Sequence, residues 1–157
     1  MKSVRLVLLI ATFAYSGVDG YRPKSACGKA LYYNLTSNSQ VKAVKTCASD
    51  PLADAAVKAI ASYGCAKYAF QEGPLKCEVG AAPFMKCLAG KLGYLKADGS
   101  IDNMKILAQY RRDATRDPAC NAARYNFAEN KCGTTIDNYA FLAKMACLAA
   151  AADQYLG

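Results

Sequence analysis

The sequence predicts an all-α fold, a single compact bundle of about five to seven short helices stapled by disulfides. Three observations carry that prediction. Apolar residues recur at spacings of three and four, with no alternating run of β type. Asp-Pro pairs, serines and glycines bracket those runs where helix starts and stops require them. Eight cysteines, Cys27, Cys47, Cys65, Cys77, Cys87, Cys120, Cys132 and Cys147, supply enough sulfur for four bridges.

Residues 1–20 have the layout of a secretory signal, with Lys2 and Arg5 ahead of the apolar run Leu6 to Ala14 and then small residues. That run is too short to span a bilayer. Cleavage after Gly20 leaves 137 residues, 21–157, as one domain, and cleavage after Ser16 is the alternative. A chain of that length buries a core of its own.

The segments around Cys27 and Cys47 read as helical, bounded by Pro23 and the polar stretch NLTSNSQ. Asp50-Pro51 offers an N-cap followed by proline in the first helical position, and Leu52, Ala56, Ile60 and Tyr63 then mark one face until Gly64. A further helix is expected from about Pro83, with Phe84, Cys87, Leu88 and Leu92 on one side and Gly93 as its C-terminal cap. Ser100 caps the next, which carries Ile101, Met104, Leu107, Ala108 and Tyr110 towards Thr115, and Asp117-Pro118 starts another. Thr134-Thr-Ile-Asp137 has capping-box spacing and opens a long Ala-rich helix through Phe141, Leu142, Met145, Cys147 and Leu148.

Between two of these helices, YLKADGSID resembles part of a calcium-binding loop. With Gly99 at position 6, Asp98 falls at position 5 and Ile101 at 8, but Tyr94, Lys96 and Lys105 occupy positions 1, 3 and 12. Two lysines in place of carboxylates repel the ion. KADGS is therefore read as a polar turn with a left-handed glycine.

An even cysteine count behind a secretory signal points to disulfides and an oxidising, extracellular compartment. A zinc site would need closely paired ligands, and the nearest two cysteines are ten residues apart. Eight cysteines allow about 105 pairings, which spacing alone does not resolve. No metal or other cofactor is expected.

The chain contains no histidine. Ser-His-Asp and Cys-His catalysis and His-ligated metals are thereby excluded, and oxidised cysteines leave no thiol nucleophile. Glu72, Glu78 and Glu129 exist, but nothing in their placement points to two-carboxylate hydrolysis. The protein is expected not to be an enzyme. Removing the leader leaves 18 basic against 11 acidic side chains, a net +7, which favours anionic membranes or surfaces. The densest basic cluster, Tyr110-Arg-Arg-Asp-Ala-Thr-Arg116, is interrupted by Asp113 and followed by Asp117, so it reads as a solvated helix face; no nucleic-acid partner is expected. Asn34-Leu-Thr36 fits the N-glycosylation pattern in a polar, exposed stretch. Tyr32, Tyr33, Tyr63 and Tyr68 are expected to ring the core.

MKCLAGKLGYLKADGSID resembles the segment of insect odorant-binding proteins in which a cysteine-bearing third helix ends in Leu-Gly before an Asp-Gly turn. ENKCGTTIDNYAFLAKMAC is similar to that family's late cysteine pair. Divergent odorant-binding-like and microplusin-like helical proteins of ticks are a neighbouring resemblance, without the histidines on which microplusin-type copper chelation depends. The odorant-binding resemblance implies the crossed pairing Cys47 with Cys87, Cys77 with Cys132 and Cys120 with Cys147, leaving Cys27 with Cys65. Short helices tied by disulfides can enclose an apolar cavity, so a carrier for a small hydrophobic or amphiphilic ligand is the first expectation. In such a pocket Phe84, Leu88, Leu92, Met104, Leu107, Tyr110, Phe141 and Met145 are the expected lining, with the Tyr110 hydroxyl as an orienting donor. The alternative is a cationic defence or venom-type effector acting on anionic membranes or host targets, and a secreted matrix component is a third reading.

Overall fold

A computed structural model describes residues 22–157, so the leader assigned to residues 1–20 lies outside the described residues. The described chain is helical: α1 is Ala26–Tyr33, α2 Asn38–Ala48, α3 Pro51–Ile60, α4 Leu75–Lys91, α5 Asn103–Thr115, α6 Ala122–Cys132 and α7 Phe141–Asp153. Among the described residues no strand forms, and the one extended contact is an isolated antiparallel bridge between Leu95 and Ile101.

Each start has a local cause. The Ser25 hydroxyl accepts from the Gly28 N–H (3.0 Å) to cap α1, and both backbone amides ahead of it, Lys24 and Ser25, donate to the Asp153 carboxylate at the far end of α7. Ser37 caps α2, and Asp50 caps α3 by accepting from Leu52 and Ala53. Such caps satisfy amide donors that a first helical turn otherwise leaves open.

Several expected boundaries move. Of the expected face of α3, Ile60 is buried together with Ala53, while Leu52 is 78% exposed and Tyr63, beyond the end of the helix, is also on the surface. α4 begins at Leu75, eight residues before Pro83, because Pro74 supplies the capping carbonyl to Cys77 and Glu78. Pro83 lies inside α4 on its exposed side, so the hydrogen bond its ring cannot donate is lost at the surface of the helix rather than in the core. Asp102, not Ser100, caps α5 through the Lys105 N–H; Ser100 instead donates to Asp98. Asp117-Pro118 forms a turn, and α6 waits for Asn121, which accepts from Arg124. The Thr134–Asp137 stretch is irregular, since Asn138 (φ +51°) and Tyr139 (φ +57°) are left-handed and delay α7 to Phe141. Gly99 is left-handed as expected (φ +81°), and so is Gly93 at the end of α4 (φ +72°).

The helices pair as α3 on α4, with α2 against α4, and as α6 on α7, with α1 packed on both α7 and α5. One contiguous apolar core runs between these groups. Phe70 and Phe84 meet at 5.3 Å between ring centroids, and Tyr94 meets Phe141 edge-on at 5.4 Å. Burial of large side chains such as Tyr125, Phe84, Phe141, Leu31 and Leu88 stabilises the fold by about 1.5–3 kcal/mol each before entropy is subtracted.

All eight cysteines are bridged, as Cys27–Cys120, Cys47–Cys87, Cys65–Cys77 and Cys132–Cys147. Only Cys47–Cys87 coincides with the pairing the resemblance implies. The other three implied bridges are corrected by antiparallel packing: the α3–α4 hairpin brings Cys65 opposite Cys77, and the α6–α7 hairpin brings Cys132 opposite Cys147. Cys27 of α1 then meets Cys120, in the turn between α5 and α6.

Candidate functional site

The eight side chains expected to line a ligand pocket fall into two groups. Phe84, Leu88, Leu107, Tyr110, Phe141 and Met145 are buried in the common core, and Leu92 packs against it half-buried. Met104 is 84% exposed on the outer side of the first turn of α5 and does not join them. Tyr110 spends its hydroxyl inside the protein, donating to the Phe141 carbonyl at 2.7 Å, so it is not the expected orienting donor. Burial, with Tyr94, Tyr125 and Asp113 nearby, raises its pKa well above the ordinary phenol value.

An open groove of about 200 Å³ lies elsewhere, lined by Glu78 of α4, the 135–137 turn, Ala140, and Ala143, Lys144 and Cys147 of α7. The left-handed pair Asn138–Tyr139 shapes its edge, and the Asn138 amide donates to Glu78 at 2.8 Å. The Lys144 ammonium donates to the carbonyls of Cys132 (2.6 Å) and Gly133 (3.2 Å). Burial lowers the Lys144 pKa, and Asp137 opposes that shift. None of the eight expected residues lines this groove. The helical pattern does place Lys144 one turn before Cys147, but the irregular 134–140 segment that completes the groove has no periodic signal.

No protein-family model, no curated protein and no solved structure matches the chain.

Charge is used unevenly. Asp50, Asp102, Asp117 and Asp153 accept from backbone amides at the starts of helices and turns, and Asp98 accepts from both the amide and the hydroxyl of Ser100. Those Ser100 bonds lower the Asp98 pKa. Asp54 and Glu129 are in ion pairs with Lys58 and Arg111, and Asp113 is buried beside Gln109. Three of the five described arginines make side-chain hydrogen bonds, while Arg22 and Arg116 are exposed and, among the described residues, make none. Arg111 holds Glu129 and Asn126 across the α5–α6 interface and covers the Tyr125 ring, Arg112 donates to Gln109, and Arg124 donates to the Ala152 carbonyl at 2.7 Å over the Tyr155 ring. The basic cluster expected to be a solvated face is thus partly structural.

The lysines behave differently. Lys29, Lys42, Lys45, Lys67, Lys91 and Lys96 are exposed, and among the described residues their ammonium groups make no hydrogen bond or ion pair. Lysine is strongly hydrated and flexible, whereas the planar guanidinium suits fixed, partly buried ties. The protein therefore presents a coat of uncompensated positive charge over a frame held by arginine, carboxylate caps and disulfides.

Proposed function

We propose that the protein is a secreted, non-catalytic, cationic binding protein that engages anionic partners through its lysine coat. The observation that carries this reading is that Lys29, Lys42, Lys45, Lys67, Lys91 and Lys96 project into solvent without a partner among the described residues, whereas Arg111 and Arg124 tie helices together. The disulfides and the leader pattern favour an extracellular location, and no helix among the described residues is long and apolar enough to cross a membrane. The absence of histidine and free thiols supports binding without chemistry. Asn34 lies in the short 3₁₀ turn between α1 and α2, a position compatible with an N-linked glycan, which removal by an endoglycosidase would register as a mass loss.

The test is retention of the oxidised protein on an anionic matrix across a salt series. Strong retention at low salt that collapses as screening rises is expected. Elution with neutral controls at low salt overturns the proposal.

A carrier of odorant-binding-like type is the second reading, favoured by the groove beside Lys144 and Glu78. Saturable displacement of an apolar fluorescent probe, lost on Ala143→Trp, would support it.

A further inference from the structure

Four lysines gather around the turn that joins α4 to α5. The turn is held by its own backbone: the Lys96 N–H donates to the Ser100 carbonyl and the Asp102 N–H to the Tyr94 carbonyl, both at 2.8 Å, flanking the Leu95–Ile101 bridge. The Lys86 ammonium lies 3.9 Å from the point a Cβ on Gly99 would occupy, and 5.5 Å from the centroid of the Tyr139 ring. The Lys105 ammonium lies 3.6 Å from the corresponding point on Gly93. Lys91 stands in the last turn of α4 and Lys96 on the connecting turn itself. All four are exposed, and none is in an ion pair among the described residues. Asp98 and Asp102 lie in the same turn, held by Ser100 and by the Lys105 amide; these neutral donors leave both carboxylates charged, so the four lysines outnumber them by two. Beside Lys105, Met104 offers an apolar side chain that is 84% exposed.

Resting on the lysine-coat reading above, we infer that this α4–α5 turn is a docking face for an anionic lipid bilayer, with the four lysines over the headgroups and Met104 entering the interfacial layer. Charge complementarity selects an anionic partner. Met104 selects a bilayer over a sulfated polysaccharide, because a polysaccharide leaves that side chain in water whereas the interface buries it. The hydrogen-bonded turn presents the lysine backbones already ordered, which limits the entropy lost on docking. Each lysine near an anionic leaflet is worth about fivefold in affinity, and the gain falls away over a Debye length.

The experiment is co-sedimentation of the full oxidised secreted protein with phosphatidylserine-containing vesicles, with pure phosphatidylcholine vesicles and an immobilised sulfated polysaccharide as separate arms. Lys86→Gln, Lys91→Gln, Lys96→Gln and Lys105→Gln together are compared with Lys29→Gln, Lys42→Gln, Lys45→Gln and Lys67→Gln, which remove the same charge elsewhere. All eight side chains are exposed, and circular dichroism with a thiol count checks that both variants remain folded and bridged. The expected result is a loss of a hundredfold or more for the turn variant, from about fivefold per lysine, and a much smaller loss for the control. Met104→Ser is expected to weaken vesicle binding and leave polysaccharide retention unchanged. Equal losses in the two quadruple variants, polysaccharide retention without vesicle binding, or vesicle binding indifferent to Met104→Ser would each overturn the docking face while leaving the lysine-coat reading intact. If the unmodified protein binds no anionic surface in any arm, both fail.

Discussion

A Cβ placed on Gly80 would run into Cγ2 of Ile60, so the Ile60 side chain packs directly onto the α4 backbone there. Ile60 is 3% exposed and has no open side to swing towards. The contact is the point where the hairpin closed by Cys65–Cys77 becomes a packed pair of helices.

Gly80→Ala therefore sets two effects against each other. Alanine gains about 1 kcal/mol in helix propensity over glycine, and overpacking a close interface costs about 1–3 kcal/mol. The interface prevails, and urea denaturation should show a net loss of about 1 kcal/mol. Adding Ile60→Leu, which removes the branched methyl, should recover part of that loss; a Gly80→Ala protein more stable than the parent would contradict the packing.

Two buried tyrosines should respond oppositely to loss of their hydroxyls. Tyr110 makes a 2.7 Å bond to the Phe141 carbonyl, whereas the Tyr125 hydroxyl is buried without a partner among the described residues. Tyr110→Phe should destabilise by about 1 kcal/mol, because a made bond disappears, while Tyr125→Phe should be neutral or stabilising, because a desolvated donor disappears. Melting temperatures of the two variants test the order.

Alkaline pH should unfold the protein over a defined window. Burial raises Tyr32 and Tyr68 from the ordinary value of 10 to about 12, with Glu72 adding to the shift at Tyr32 and Glu78 at Tyr68. Below pH 10 both phenols are neutral in the folded and unfolded chain, so the stability they contribute is fully present. Between pH 10 and about 12 the unfolded chain ionises first, and stability falls as pH rises. Equilibrium denaturation across that range should show the fall, and Tyr32→Phe with Tyr68→Phe should make it shallower, leaving the share carried by Tyr94, Tyr110 and Tyr125.

The bridges should differ in their worth. Cys27–Cys120 joins residues 93 apart, against 12 for Cys65–Cys77. Loop-closure entropy gives about 5 kcal/mol for the long bridge and about 3 kcal/mol for the short one. Paired Cys→Ser replacement should follow that order. Cys147 is exposed and Cys27 is fully buried, so mild reductant followed by alkylation should label Cys132 and Cys147 before Cys27 and Cys120.

Helix content and oxidation state were legible because both are local signals. Asp50-Pro51 starts α3 as written, Gly93 and Gly99 punctuate where their freedom of φ is needed, and α5 reaches Thr115. Boundaries differ where two polar residues compete for the same role, as with Ser100 and Asp102, or where a proline that favours a helix start stands at an exposed mid-helix position, as at Pro83. The placement of the expected pocket residues shows a related limit. Apolar spacing shows which face of a helix is covered, and Phe84, Leu88, Phe141 and Met145 are covered, but by one another. Met104 has the spacing of a buried residue and projects into solvent, because the α5 face is set by Ile106, Leu107 and Tyr110.

By itself the amino-acid order determined a helical, fully oxidised, cationic chain without histidine chemistry, since propensity, cysteine number and charge need no partner in space. Tertiary structure alone decided which cysteine met which, because pairing follows antiparallel helix contacts that sequence distance does not encode. It likewise decided that Arg111 and Arg124 tie helices together while Lys29, Lys42, Lys45, Lys67, Lys91 and Lys96 project into solvent, since the planar guanidinium suits fixed contacts between facing helices.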